Sequence, residues 1–163
     1  EAKVTGLDFC PAMLREAERK RETAGHSPEK LNFLEGDCLA LPFADESFDL
    51  ITIAFGLRNL ADRSRALAEM LRVLRPGGSL LVLEFSQPYF WLRPFYYLYL
   101  RGILPILARL VTGDRTAYEY LGASIAGFPD RSDLASELTQ AGFTKVDFTS
   151  LTGAIVALHA AAK

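Results

Sequence analysis

Cysteine is scarce in this 163-residue chain: there are two, Cys10 and Cys38, with no CxxC or other metal-ligand spacing between them. That argues against structural zinc and reads as a pair of reduced thiols of a cytoplasmic protein. A basic excess is lacking as well. Lys and Arg total 18 against 20 Asp and Glu, a formal charge of -2, so nothing advertises nucleic acid as a partner. No long apolar run is free of charge: the stretch from Tyr89 to Val111 carries Arg93, Arg101, Arg109, Pro94 and Pro105. A spanning helix needs about 20 predominantly apolar residues with few or no charges, so this stretch is not read as one, although it can lie against a membrane. The opening "EAKVTGLDFC" has neither a basic region leading into an apolar core nor a starting Met, and is expected to be an interior cut through a longer protein. Repeats and low-complexity linkers are missing too. What remains, with 50% hydrophobic residues, suits one soluble globular domain.

Short apolar runs alternate with amphipathic segments, the pattern of an α/β protein whose mainly parallel sheet is covered by helices. Val4 to Leu7 is the first expected strand, followed by a helix from Pro11 to Ala24 that "GHSP" breaks. Leu31 to Leu34 and the unbroken apolar run Leu50 to Phe55 are expected strands, the latter buried on both faces. Asp62 can cap a helix along which Leu60, Leu67, Leu71 and Leu74 recur, with Arg75 to Gly78 stopping it before a strand at Leu80 to Phe85. "TAYEYLGASIAGF" offers a short helix. Ser132 is the expected cap of another, ended by Gly142, and residues 143–151 and 153–161 close the chain as two strands.

Asp8 follows the first strand, where the carboxyl ends of parallel strands form a ligand crevice. An ionised carboxylate can accept from both hydroxyls of a ribose, and an Asp at this place can equally cap the next helix. Phe9 can pack on an adenine face or fill the core. Asp37 can accept from an adenine amino group while the backbone N–H of Cys38 donates to the ring; the local alternative is an Asx-turn. "AFGLRNLAD" opens a buried strand into a loop with Gly56, Arg58 and Asn59. Arg58 can bind an anionic substrate oxygen or sit in a surface ion pair, and Asn59 can position a water or hydroxyl. Glu84 is expected to line the cleft. The crowded Tyr89, Phe90, Trp91, Phe95, Tyr96, Tyr97 and Tyr99 read as core, as a lid, or as an interfacial segment.

Taken in order, "GLDFCPAML", "GDCLALPF", "FDLITIAFGLRN", "RVLRPGGSLLVLEFS", "YEYLGASIAGFP" and "LTGAIVALHAA" resemble the ubiquinone/menaquinone biosynthesis C-methyltransferase family over essentially the whole chain. The resemblance implies a Rossmann-like class I methyltransferase fold with strand order 3-2-1-4-5-7-6 and S-adenosyl-L-methionine as cofactor. It implies methyl transfer to a prenylated quinol, either demethylmenaquinol or the ubiquinol precursor. It assigns Asp8 to the cofactor ribose, Asp37 and Cys38 to its adenine with Phe9 beside them, and Ala54 to the methionine part, with Arg58 and Asn59 as catalytic residues and no metal. The family often carries Ser where this chain has Ala54, which leaves only backbone contact there. Strand 1, its helix and the Gly-rich loop have no counterpart in these residues. The chain is therefore expected to be a single partial domain over 1–163, with an aromatic lid or insertion at about 87–128. A gap or false pairing is expected between Val4 to Leu7 and Leu50 to Phe55, with no activity from the piece alone. Other expectations are a cytoplasmic location peripheral to the inner face of the membrane, and a homo-oligomer or quinone-biosynthesis complex. The alternatives are another small-molecule methyltransferase and a non-catalytic, membrane-associated accessory protein.

Overall fold

The structure is a computed structural model that describes residues 2–103 and 116–163. The chain begins with strand β1 (Val4–Asp8), helix α1 (Pro11–Thr23) and strand β2 (Leu31–Glu35). β1 and β2 pair in parallel, Val4 opposite Leu31 through Asp8 opposite Glu35. Pro11 opens α1 because its missing N–H is one the first turn could not have used. Strand β3 (Phe48–Ala54) leads through a 3-10 turn (Leu57–Asn59) into helix α2 (Arg63–Val73), capped as expected by Asp62, whose carboxylate accepts from the Arg65 N–H at 3.0 Å. Strand β4 (Leu74–Phe85) runs parallel to β3, and the antiparallel pair β5 (Thr144–Leu151) and β6 (Val156–Ala162) completes a second sheet in the order β3-β4-β6-β5.

Between the two sheets lies the discontinuity expected from the strand order that the family resemblance implies. Among the described residues β1 pairs only with β2, and β3 only with β4. The order β2-β1, then β3-β4-β6-β5, matches the implied 3-2-1-4-5-7-6 with no strand among the described residues at its centre. Val4 and Leu50 are each 52% exposed, although both sit in apolar strands. A strand with no neighbour on one side leaves a row of backbone N–H and C=O groups unpaired at that edge.

Burial follows the same division. Leu67, Met70 and Ala66 of α2, Leu80 and Val82 of β4, Ala161 of β6, and Leu134 and Leu138 of the helix before β5 form one core with Leu57 and Phe128. That helix is α5 (Arg131–Gln140), preceded by α3 (Arg93–Leu98), a single π turn (Tyr99–Ile103) and α4 (Thr116–Ala126). By contrast, no residue of α1 is fully buried. The β1–α1–β2 unit is fastened through its following loop: Arg65 Nε donates to the Leu39 carbonyl at 2.8 Å, and Arg72 donates to the carbonyls of Leu41 and Phe43 at 3.0 and 2.8 Å.

Two local expectations are corrected. Arg75 to Gly78 do not form a separate turn, since α2 passes at Leu74 directly into β4; Gly77 takes φ +80°, and the pairing with β3 slips between Phe48 and Leu50. The cap of α5 is Asp130, not Ser132. Its carboxylate accepts from the N–H groups of Ser132 and Asp133 at 2.8 and 3.0 Å, a charge-assisted cap that starts the helix earlier.

Candidate functional site

At the end of β3 the backbone makes an unusual turn. Phe55 keeps the ladder going, its N–H donating to Leu83 at 2.8 Å, and then adopts φ +54°. A left-handed bulky residue costs on the order of 1 to 3 kcal/mol and persists only when its surroundings hold it. The holding groups are visible: the Phe55 carbonyl accepts from Arg58 Nη1 at 2.6 Å and from Asn59 Nδ2 at 3.4 Å, while fully buried Leu57 anchors the 3-10 turn in the core.

Arg58 goes neither to solvent nor to a surface pair. Its side chain is 10% exposed and meets Glu84, 1% exposed, with Nη1 2.8 Å from the carboxylate. Glu84 also accepts the N–H of Arg58 at 3.2 Å and that of Phe85 at 2.9 Å. The guanidinium lies 5.1 Å from the Phe85 ring centroid. A carboxylate taken out of water needs this many partners to stay charged. Rather than lining a cleft, Glu84 forms the buried post on which the Arg58 turn is hung. Asn59 remains exposed, and the Tyr120 hydroxyl of α4 donates to its Oδ1 at 3.0 Å. Sequence reading did not single out Tyr120; the signal was a tyrosine within "YEYLGAS", a segment taken only as a helix.

The acidic pair lies at the ends of β1 and after β2. Asp8 Oδ1 accepts the Cys10 N–H at 2.8 Å and Asp37 Oδ1 accepts the Leu39 N–H at 2.8 Å, so both carboxylates close an Asx-turn. These turns aim the strand ends and occupy Oδ1 of each. Burial pushes the Cys38 thiol up, with smaller contributions from the charges of Asp37 and then Asp8, so all three groups share one neighbourhood. Phe9 is exposed beside them, and Ala54 is exposed at the last position of β3. The structure thus gathers Asp8, Phe9, Asp37 and Cys38 at one strand pair and Ala54, Arg58 and Asn59 at the other, on either side of the sheet discontinuity. Among the described residues no group of three His, Cys, Asp or Glu side chains is arranged to hold a metal ion.

Parallel strand pairs joined through helices, with acidic turns and a strained polar loop at their carboxyl ends, define a Rossmann-like α/β domain. A SAM-dependent methyltransferase from Aquifex aeolicus shares that fold, at TM-score 0.67 and 18% identity over 98% of this chain and 68% of its own. The chain belongs to the ubiE/COQ5 methyltransferase family, whose model matches residues 1–163. It is 48% identical over 160 residues to the ubiquinone/menaquinone biosynthesis C-methyltransferase of Dinoroseobacter shibae, covering 98% of this chain and 64% of that protein. To the demethylmenaquinone methyltransferase of Renibacterium salmoninarum it is 45% identical over 161 residues, covering 98% of this chain and 65% of that one. The chain therefore spans less than two thirds of the length of these curated relatives.

Proposed function

We propose that this chain is the larger part of a single S-adenosylmethionine-dependent domain that methylates a ring carbon of a prenylated quinol. The observation that carries the reading is the Phe55–Asn59 turn: a guanidinium and an amide held at the carboxyl end of β3, in a chain of a family whose relatives are named for quinone C-methylation. The residues at β1 and β2 fit the adenosine half of the cofactor. Asp8 keeps a second carboxylate oxygen beyond its Asx-turn for ribose hydroxyls, Asp37 does the same for an adenine amino group, and exposed Phe9 offers a ring face. Ala54 offers backbone alone to the methionine half. When bound, S-adenosylmethionine supplies an electrophilic methyl group on a sulfonium.

The work of this chain's own residues is to make the acceptor carbon nucleophilic. A quinol that loses a ring-hydroxyl proton places negative charge on oxygen and the adjacent carbon. Arg58 stabilises that phenolate and Asn59 orients the hydroxyl or an intervening water. Because Glu84 already balances the charge of Arg58, the contribution is a directed N–H rather than a free cation; a preorganised donor of this kind is worth about 3 kcal/mol. Glu84 and the Phe55 carbonyl hold the guanidinium still, so little reorganisation accompanies the change of charge.

The aromatic segment within 87–128 is read as the cover of the acceptor side. The discontinuity between β1 and β3 is read as the place of a strand supplied from outside these 163 residues, without which the two halves of the cofactor site are not joined and the piece is inactive. Calorimetric titration of S-adenosylmethionine into this chain, and into the chain extended at its amino end, tests that. Saturable tight binding by the 163-residue chain overturns it. In the extended protein, turnover of demethylmenaquinol, the ubiquinol precursor and non-prenylated phenols is compared; equal turnover of the non-prenylated phenols overturns the quinol assignment and favours a general small-molecule methyltransferase.

A further inference from the structure

We propose that Tyr120 is a positioning residue for methyl transfer: its hydroxyl fixes the side-chain amide of Asn59 in the one orientation that leaves an N–H free for the acceptor. This deepens, and rests on, the role assigned to Asn59 as the residue that orients the acceptor hydroxyl or a water. The Tyr120 hydroxyl lies 3.0 Å from Asn59 Oδ1, on a residue 61 positions further along the chain. The other partner of the Asn59 side chain is the Phe55 carbonyl, 3.4 Å from Nδ2.

An Asn amide turned by half a revolution fits the same space with oxygen and nitrogen exchanged, so its neighbours select between the two states. The Phe55 carbonyl only accepts, and its contact with Nδ2 is long because Arg58 Nη1 already takes the same oxygen at 2.6 Å. Alone it is a weak selector. A tyrosine hydroxyl can donate or accept. Accepting from Nδ2 would leave Asn59 Oδ1 facing the Phe55 carbonyl, oxygen against oxygen. Tyr120 therefore donates, Oδ1 is occupied, and the second N–H of Nδ2 has no partner among the described residues. That N–H is the group an acceptor oxygen or its water can use. In the turned state the same place presents a carbonyl oxygen, which repels a phenolate.

Both ends of the hydrogen bond are anchored elsewhere. Leu57 of the 3-10 turn and Phe128, just beyond α4, lie in one core cluster. Buried Ile125 pins the last turn of α4, and its carbonyl accepts from Gln87 Nε2 at 3.1 Å. Packing thus brings α4 against the 3-10 turn whether or not the hydroxyl is there. Tyr120 itself is 59% exposed, and a neutral hydrogen bond open to water adds little to stability. The fold loses little without it, so its effect is to be sought at the site.

The test is a double-mutant cycle of Tyr120→Phe, Asn59→Ala and the two together, in the chain extended at its amino end. Methyl transfer from S-adenosylmethionine is followed with whichever of demethylmenaquinol, the ubiquinol precursor or a simple phenol that protein methylates fastest, so the cycle does not depend on the quinol assignment. Tyr120→Phe keeps the ring and removes only the hydroxyl. Its kcat is expected to fall about tenfold, the loss of one oriented hydrogen bond. Both KM values should stay within about twofold and the melting temperature within about 2 °C, because binding and packing are untouched. In the Asn59→Ala background Tyr120→Phe should add no further loss, since no amide is left to orient. Three outcomes overturn the proposal. The first is an unchanged kcat in Tyr120→Phe beside a slow Asn59→Ala. The second is multiplication of the two losses, which would have the hydroxyl act on the substrate itself. The third is a fall in kcat that comes with a raised KM and a melting temperature several degrees lower, the mark of a mere brace. Full rate in Asn59→Ala is a separate failure: it removes the role of Asn59 in the proposed function, and that of Tyr120 with it.

Discussion

Glu84→Gln is the most informative single change, because it alters one charge while keeping the shape of a side chain at the centre of the candidate site. The Glu84 carboxylate accepts three hydrogen bonds, from Arg58 Nη1 at 2.8 Å, the Arg58 N–H at 3.2 Å and the Phe85 N–H at 2.9 Å. A carboxamide has one accepting oxygen, and its NH2 group must face at least one of these donors. Breaking one partner of a buried pair costs about 3 to 5 kcal/mol when the other charge stays buried, and a hydrogen bond to a charged group about 1.5 to 3 kcal/mol. Retention of the oxygen puts Glu84→Gln near the lower figure, about 3 kcal/mol. For a domain of this size 1 kcal/mol moves the melting temperature by about 2 to 4 °C, so a fall of about 6 to 12 °C is expected by calorimetry or circular dichroism.

The double variant Arg58→Met with Glu84→Leu provides the decisive comparison. Replacing a buried ion pair by apolar residues of similar volume is often neutral in stability. The double variant is expected to melt above either single one while losing methyl transfer in the extended protein. Strict additivity of Arg58→Met and Glu84→Leu, or a Glu84→Gln cost below about 1 kcal/mol, would refute the view that Glu84 holds the Arg58 turn, since residues sharing a network couple by about 0.5 to 3 kcal/mol.

Three further outcomes are expected. Gly78→Ala brings a Cβ to 2.9 Å from the Arg75 carbonyl and 3.2 Å from that of Asp49; both are backbone atoms, so overpacking of about 1 to 3 kcal/mol should lower the melting temperature, and an unchanged value would show that β4 yields there. Cys38, its thiol pushed up by burial and by the charges of Asp37 and Asp8, should alkylate with iodoacetamide more slowly at pH 8 than a cysteine in an unstructured peptide, as followed by mass spectrometry. His159 is buried with Nε2 2.8 Å from the Arg131 carbonyl and Nδ1 unpartnered, and burial, only partly offset by that bond, holds its pKa below 6.5. The unfolded imidazole then binds a proton that the folded one refuses, so stability is intact above 6.5 and falls as pH drops below it. Denaturant titrations across that range should show a steeper loss for the native chain than for His159→Leu; identical slopes would place the acid sensitivity elsewhere.

The helices and strands were legible because their signals are local. Pro11 and Asp62 set helix starts through their own backbone geometry, and the apolar runs at Leu50 to Phe55 and Leu80 to Phe85 mark strands. Burial on both faces, expected of the first, does not hold, since no residue of β3 is fully buried and Leu50 is 52% exposed at the open edge of its sheet. The sheet discontinuity was expected from the strand order that the family resemblance implies, and no local pattern announces it. The partner of Arg58 was not legible. It stands 26 positions away at Glu84, and only the parallel register of β3 and β4, Ala54 opposite Leu83, brings the two strand ends together. A signal was nevertheless present: a carboxylate inside "LLVLEF" has to be paired once that run is buried. The helix cap at α5 was misplaced for a related reason. Ser132 and Asp130 are both competent caps, and the choice depends on where the chain leaves Pro129, which no local pattern fixes.

The two halves of the molecule are stabilised by different physics. Around α2, β4, β6 and α5 the apolar side chains close on one another, and the site residue Arg58 is set in that core through Leu57 and Glu84. The β1–α1–β2 unit contributes no residue to the fully buried core cluster and is held by arginines gripping the carbonyls of residues 39–43. Arg72 also pairs with Glu69 and Asp45 at 2.8 and 2.7 Å, but these are partly exposed contacts, and pairs of that kind contribute about 0 to 1 kcal/mol each. A unit so held is tied to the rest by polar contacts of its following loop, among them the Leu41 N–H donating to Glu69 at 2.8 Å, rather than by buried apolar side chains of its own. Asp8 and Asp37 lie at that unit, whereas Ala54, Arg58 and Asn59 lie at the one with the apolar core. The registration of the adenosine half of the site against the reacting half is therefore the least constrained feature of these residues, and a strand pairing with both β1 and β3 would fix it by backbone hydrogen bonds on each side.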